Sequence, residues 1–269
     1  MLKEKSLLWT VEDPQSNTLS YLYGTMHVQS RVAYLYVEGL KPIIKSKPNF
    51  YSETDLDDLA NHSRGQSSFL ISDGQSLSSL ISEKRYAKWI STVRKHFNMN
   101  LRYFDRTLPF VTTQYLQSHY MTTDHQLPLD KYLWEYARGA QRVLGGIESV
   151  DFQVNVLKQI SLKTQIKMLK DFLSNPNKYK KQIEVLSHAY QSQNIYKLHQ
   201  ISKASLGGLR RLMLRDRNRR MADFIYANKG TPSFYTFGAA HLAGTDGVLP
   251  LLKRSGLKVN AADLTEVIA

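Results

Sequence analysis

Four short apolar runs of the sequence each end on a side chain that can bind a metal ion. These side chains are the imidazoles of His27 and His241 and the carboxylates of Glu53 and Glu148. Two imidazoles and two carboxylates suit a divalent transition metal such as Zn, Mn, Co or Fe. Ligands of an α/β sheet bind beyond the carboxyl ends of its strands, where loops gather side chains from distant parts of the chain. The four residues are therefore predicted to meet at one edge of a sheet.

Each of the two histidines stands three residues after a glycine, Gly24 or Gly238. A glycine there lets the backbone turn sharply and bring the imidazole inward. The matching stretches 21–28 and 235–242 also share a tyrosine, which suggests a short internal repeat. Other interpretations stay open at this point. A histidine after a strand can simply hydrogen-bond within the fold, and Glu53 and Glu148 can cap the helices that follow them.

The elements around these residues predict an α/β fold with a central, mostly mixed β-sheet and flanking helices. Turn residues between two apolar-aromatic runs indicate an opening hairpin. Apolar residues near helical spacing indicate helices at 32–43 and 248–254. A further helix at 130–140 is predicted to be capped by Asp130. The predicted strands are 6–11, 19–23, 49–53, 142–148, 233–237 and 257–261.

Two long stretches, 56–140 and 151–228, are mostly helical in pattern. We expect them to be helical insertions in a single domain covering 1–269, where they form a cap over the edge of the sheet. Insertions at a ligand-binding edge commonly set substrate choice.

Composition narrows the functional classes. The 269 residues include no cysteine, which excludes disulfide scaffolds, thiolate metal sites and cysteine nucleophiles. No P-loop, G-x-G-x-x-G or G-x-S-x-G motif is present. No apolar run approaches the roughly 18 residues that span a bilayer. The given sequence starts without a secretory signal, and export of the native protein stays open, as does its localisation. The sequence also leaves the oligomeric state open.

Most of the formal net charge of +13 falls in residues 151–220, which carry fifteen Lys and Arg against four Asp and Glu. Such a segment can attract nucleic acid, anionic lipid or an acidic partner, although solvated helix faces are the plainer interpretation. We do not expect nucleic-acid binding. The remaining histidines lack partners at metal-ligand spacing and are expected to be structural or exposed; they are His62, His96, His119, His125, His188 and His199.

Several stretches together resemble the TraB/GumN family. They are the opening LLWTVEDPQSNTLSYLYGTMHV, the end of the 49–53 strand, Gly146-Ile147-Glu148, Arg217-Asn218 and the closing FYTFGAAHLAGTDGVLPLLKRSGLKV. The resemblance runs from about residue 6 to 261. It implies the fold of a family that includes the Tiki metal-dependent proteases and, more distantly, the erythromycin-esterase-like and ChaN-like proteins.

The resemblance also implies roles for individual residues. The family's two G-x-x-H motifs fall on His27 and His241, and its acidic residue falls on Glu53, so these three are the implied ligands of a divalent Mn, Co or Zn ion. Glu148 is a second carboxylate, available as a general base. The family's Arg-Asn pair falls on Arg217 and Asn218, where Arg217 can neutralise a carboxylate or steady an oxyanion, unless it is simply exposed on a helix.

Two functions from different classes follow. The first is a metal-dependent hydrolase, peptidase-like, in which the ion activates water against a peptide or small-molecule substrate. The second is a protein of the same fold that holds a ligand such as haem or a peptide without cleaving it. In that case His27 and His241 serve only as ligands or hydrogen-bonding groups.

Overall fold

The structure is a computed structural model, and it describes residues 4–64, 69–72 and 74–264. Internal contacts divide the chain into two compact units. The first comprises residues 1–59, 123–150 and 185–269, and the second comprises residues 60–122 and 151–184. Each unit is built from segments that are far apart in the sequence.

The first unit contains a mixed β-sheet, which has six strands within the described ranges. The strands are β1 (Leu8–Asp13), β2 (Thr18–Thr25), β3 (Asn49–Thr54), β4 (Val143–Glu148), β5 (Ser233–Gly238) and β6 (Lys258–Ala261). Their order across the sheet is β4-β3-β5-β2-β1-β6. Neighbouring strands from β4 to β2 are parallel, whereas β1 is antiparallel to both β2 and β6. Each strand lies within two residues of its predicted bounds.

Twelve α-helices lie in the described part of the chain. They are α1 (Val37–Lys45), α2 (Leu56–Arg64), α3 (Leu77–Leu80), α4 (Glu83–Phe97), α5 (Pro109–Ser118), α6 (Leu129–Gly139), α7 (Val150–Lys158), α8 (Leu162–Ser174), α9 (Pro176–Gln191), α10 (Ile195–Leu206), α11 (Asp216–Ala227) and α12 (Val248–Arg254). The α/β class and the mixed sheet are confirmed. The helix predicted from residue 32 begins only at Val37, because turns occupy the residues before it. None of the helices in the described ranges is long and apolar enough to span a bilayer.

Aromatic packing holds the sheet of the first unit against α6. Phe50 of β3 stacks on Phe234 of β5, with ring centroids 5.8 Å apart. The edge of Trp134 from α6 meets Phe50 at 6.3 Å. All three side chains are fully buried, and each such burial contributes roughly 1.5–3 kcal/mol to folding. This packing fixes α6 beside the parallel strands.

The second unit has an apolar core of its own. Its buried members come from α3, α4, α5, α8 and the turn after α4: Leu77, Trp89, Val93, Leu101, Leu116, Leu169, Phe172 and Leu173. The buried amide of Gln165 links α5 to the segment before α8, because it accepts from the backbone N–H of Phe110 and donates to the carbonyl of Ile160. The second unit thus consists of helices packed around their own apolar core. The predictions that 56–140 and 151–228 form a cap, and that the chain is a single domain, stay predictions.

Gly24, near the end of β2, lies in close contact with the segment that follows β5. A Cβ at this position would stand 2.9 Å from the Cα of Ala239 and 2.6 Å from Cδ1 of Leu242. Both distances are shorter than side-chain packing permits. The first glycine is therefore needed because the two histidine-bearing turns pack directly against each other.

We predict that Gly24→Ala destabilises the protein by about 1–3 kcal/mol, since the added methyl group overpacks this contact. Urea unfolding measures the loss. Gly230→Ala is the matched control, because nothing lies within 4 Å of a Cβ built on Gly230. Equal free energies of unfolding for the two variants would contradict the packing argument.

Candidate active site

The four strand-end residues of the sequence analysis lie at the carboxyl ends of four neighbouring parallel strands. Glu53 is in β3 and Glu148 ends β4, while His27 follows β2 and His241 lies in a 3₁₀ turn after β5. Because the order of these strands is β4-β3-β5-β2, their ends form one continuous edge. The predicted meeting of side chains from all parts of the chain is therefore present in the structure.

Gly238, the last residue of β5, lies where three of these side chains converge. Its backbone N–H donates to Glu53 Oε2 at 3.0 Å. A Cβ on Gly238 would point between His27 Nε2, His241 Cδ2 and Glu53 Oε2, at 3.3, 3.5 and 3.6 Å. The missing side chain of Gly238 leaves a small space lined by two imidazoles and a carboxylate.

His27 is held by a carboxylate that local sequence patterns do not assign to the site. Its Nδ1 lies 2.8 Å from Oδ2 of Asp130, and the other oxygen of Asp130 accepts from the Thr25 hydroxyl at 2.5 Å. On its opposite side, His27 Nε2 is 3.7 Å from Glu53 Oε2. The negative charge of Asp130 is the main reason that the pKa of His27 rises to about 9.

The prediction that Asp130 caps its helix is wrong. The N-cap position of α6 is Pro128, which provides no side-chain hydrogen bond, and Asp130 lies inside the first turn. Its buried side chain points to β2 and His27 instead. The sequence near a helix start does not show whether an acidic side chain caps the helix or points to a distant site. The partner of Asp130 is His27, which is 103 positions away.

His241 is buried and held by Asn218, in contrast to the half-exposed His27. Asn218 Nδ2 donates to the carbonyl of Asp246 at 2.7 Å, so its Oδ1 faces Nδ1 of His241 at 2.5 Å. This arrangement assigns the proton to Nδ1 and leaves Nε2 as the acceptor or ligand atom. Burial and the charge of Arg217 lower the pKa of His241 to about 3, so its ring is neutral at physiological pH.

Arg217 connects the two glutamates. Its Nη2 lies 2.5 Å from Glu53 Oε1 and 2.5 Å from Glu148 Oε2, and its Nε donates to both oxygens of Glu148. The alternative of an arginine exposed on a helix surface is wrong, because its side chain is only 9% exposed. Burial alone would raise the pKa of Glu53, but the charge of Arg217, supported by the two histidines, holds it well below its usual range.

None of the other described histidines is one of the converging side chains, although His199 lies beside the second histidine turn. His119 Nδ1 contacts the carbonyl of Tyr115, His125 stacks on Tyr34, and His199 Nδ1 contacts the carbonyl of Ala240. The side chain of His62 is outside the described residues. Across those described, no group of three or more His, Asp or Glu side chains is already positioned to hold a metal ion.

The chain belongs to the TraB/PrgY/gumN family, which it matches over residues 7–261. This match covers nearly the whole fold, from β1 to β6, and includes every residue of the site described above.

A particular relative is the protein named Metalloprotease TIKI2 of Danio rerio. The two are 22% identical over 321 residues, an alignment that includes 94% of this chain and 60% of the relative. The chain thus spans about 60% of the length of that relative. No solved structure gives a significant match, so the likeness to erythromycin-esterase-like and ChaN-like proteins stays a prediction.

We predict that Asp130→Asn removes a pH-dependent part of the stability of the metal-free protein. The pKa of folded His27, about 9, lies above its ordinary 6.5. The contribution of the charged His27–Asp130 pair is therefore fully present below about pH 6.5 and is lost as pH rises through about 9.

The measurement is urea unfolding between pH 6 and 9.5, with a parallel NMR titration of the His27 ring. Asp124→Asn serves as the control, since it removes the same charge from a side chain that accepts from the backbone N–H of Arg31. A His27 pKa that stays near 9 in Asp130→Asn would contradict the assignment.

We predict that Gly238→Ala obstructs the site at little cost to stability. The added methyl group would enter the space between His27, His241 and Glu53, where its closest contacts, at 3.3 to 3.6 Å, are with side chains rather than backbone. Ligand or metal binding at the site should fall at least about tenfold, while the unfolding free energy changes by less than that of Gly24→Ala. Unchanged binding would show that this space is not used.

Proposed function

We propose that this protein is a metal-dependent peptide hydrolase whose ion is held by His27, Glu53 and His241. The observation that carries the proposal is the convergence of these three side chains on the space beside Gly238. The name of the Danio rerio relative, a metalloprotease, supports both the ion and the peptide substrate.

The donor atoms suit a divalent transition metal. Asp130 and Asn218 each occupy the Nδ1 side of a histidine, which leaves Nε2 as the free donor of each ring. Partners of this kind are typical of metal-binding histidines, whose orientation they fix. Two ligands of one tetrahedral ion, at about 2.1 Å each, stand about 3.4 Å apart. The separation of 3.7 Å between His27 Nε2 and Glu53 Oε2 is close to that value.

In this proposal, a bound divalent ion supplies Lewis-acid activation of water and of the scissile carbonyl. The protein's own groups prepare the site for it. Asp130 orients His27, and Asn218 fixes the Nδ1–H tautomer of His241. Arg217 keeps Glu53 deprotonated, so that Oε2 remains a negatively charged atom facing His27.

The arrangement supports different roles for the two glutamates. The side chain of Glu148 has no exposed surface, and both its oxygens accept from Arg217. Glu148 therefore acts in this proposal by positioning Arg217, rather than as the general base that the sequence suggested. Glu53, whose side chain is 15% exposed, is the carboxylate in reach of a substrate or ion.

We predict that His27→Ala and His241→Ala each abolish metal binding and lower peptide hydrolysis at least about 100-fold, because each removes a ligand. Protein prepared without chelator is analysed for metal, reloaded with Mn, Co or Zn, and assayed on a peptide panel. His96→Ala is the control, since His96 is exposed on α4. Full metal affinity and turnover in either site variant would exclude this metal site.

Glu53→Gln distinguishes the two roles that this carboxylate can have, metal ligand or proton-transfer group. We expect it to lose metal and activity together, as a ligand would; retained metal without activity would instead assign Glu53 to proton transfer. A wild-type protein that binds metal but cleaves no peptide would favour the non-catalytic binding function, and a visible Soret band would identify haem as its ligand.

A further inference from the structure

A cavity of about 340 Å³ lies behind the second histidine turn, entirely within the first unit. Its lining includes four cationic side chains from the end of α10 and the segment before α11: Lys203, Arg210, Arg211 and Arg215. This volume is within the range of small-molecule sites in proteins. The cavity therefore brings together several positive charges of the basic segment 151–220. These charges have no role in the proposed hydrolysis.

The local backbone explains how these cations come together. Gly207 has φ of +52°, a conformation that favours glycine, and it ends α10. The chain then passes through a π-helical turn at Arg211–Arg215 before α11 begins. Such turns are rare and occur frequently at functional sites. The break and the wide turn place residues of both helices around one space.

Negative charge near the cavity balances only part of this positive charge. Asp216 lies 3.4 Å from Nε of Arg211 and 3.7 Å from Nε of Arg215, and Asp246 is in the lining. The lining itself thus contains one acidic residue and four cationic ones. The excess of positive charge in the lining favours a bound anion.

The cavity also touches the groups that hold the second histidine. Asn218 lines it, and the Oδ1 atom of the same side chain is 2.5 Å from His241 Nδ1. His199, another lining residue, contacts the carbonyl of Ala240 at 2.9 Å. A molecule in the cavity would therefore contact Asn218 and His199, two side chains that in turn contact the Gly238–His241 turn.

We propose that this cavity binds a compact anion, a phosphate or carboxylate group, and that the bound anion adjusts the position of His241 through Asn218. The ligand class is a small anionic metabolite or the anionic group of a peptide, held by charge-assisted hydrogen bonds from Lys203 and the arginines. Binding itself is independent of the proposed hydrolysis. Only a resulting change in turnover rests on the proposed function.

The test is calorimetric titration of the full chain with inorganic phosphate and, separately, with acetate. We expect saturable one-to-one binding of at least one of them. The variant Lys203→Gln/Arg210→Gln should raise the Kd about tenfold, because it removes two of the four positive charges of the lining, both from exposed side chains. The matched control is Arg219→Gln/Arg220→Gln, which removes the same charge from exposed residues outside the cavity lining and should leave the Kd unchanged.

Tighter phosphate binding would indicate a phosphorylated ligand, and tighter acetate binding a carboxylate. Equal weakening in both double variants would overturn the site, because non-specific charge attraction would then explain the binding. The absence of saturable binding with both anions would overturn it as well.

The connection to the histidine is measured by NMR of the His241 ring, which does not depend on catalysis. We expect its resonances to shift when the anion is added to the wild type at a concentration near its Kd, and to shift much less in Lys203→Gln/Arg210→Gln at the same concentration. A His241 spectrum that does not change at saturation would overturn the coupling through Asn218. Because neither readout requires turnover, failure of the hydrolase proposal would leave both results interpretable.

Discussion

The ion pairs of Arg217 with Glu53 and Glu148 are the interaction on which the rest of the site depends. Charged groups lose favourable hydration when they are buried, and they are tolerated only when partners compensate. Here one guanidinium satisfies two carboxylates that come from adjacent strands, β3 and β4. Loss of the guanidinium would leave two buried negative charges side by side. The network therefore constrains the strand ends and α11 to a single relative position.

The two histidines show how one edge of a sheet provides two different environments. His27 is half exposed and paired with an anion, so its ring favours the charged form. His241 is buried beside a neutral amide and near the charge of Arg217, so its ring favours the neutral form. Similar G-x-x-H motifs thus produce rings of opposite protonation. The difference arises from α6 and α11, which supply Asp130 and Asn218, rather than from the motifs themselves.

The sequence was sufficient to predict the strands and the residues at their ends, because short apolar runs and turn residues are local signals. His27, Glu53, Glu148 and His241 could be grouped since the carboxyl ends of parallel strands share an edge. Asp130 could not be assigned in this way. Its role depends on the packing of α6 beside the parallel strands, where Trp134 meets Phe50 of β3, and no local pattern encodes that position. The sequence likewise left open whether Arg217 neutralises a carboxylate, steadies an oxyanion or is exposed on a helix, and it did not predict that Arg217 pairs with both glutamates.

The order of the strands has a consequence for how the chain acquires its shape during synthesis. The late strand β5 lies between the early strands β2 and β3, and the last strand, β6, pairs with the first. A nascent chain that ends before residue 233 already contains β2 and β3. It does not yet contain β5, which lies between them in the sheet. Pairing across more than 180 positions is slow, because the entropy of closing such a loop is lost before the contacts form. The sheet therefore cannot close until residues 233–238 have been synthesised, and during that interval the edges of β2 and β3 that later pair with β5 are open to chaperones and to other chains.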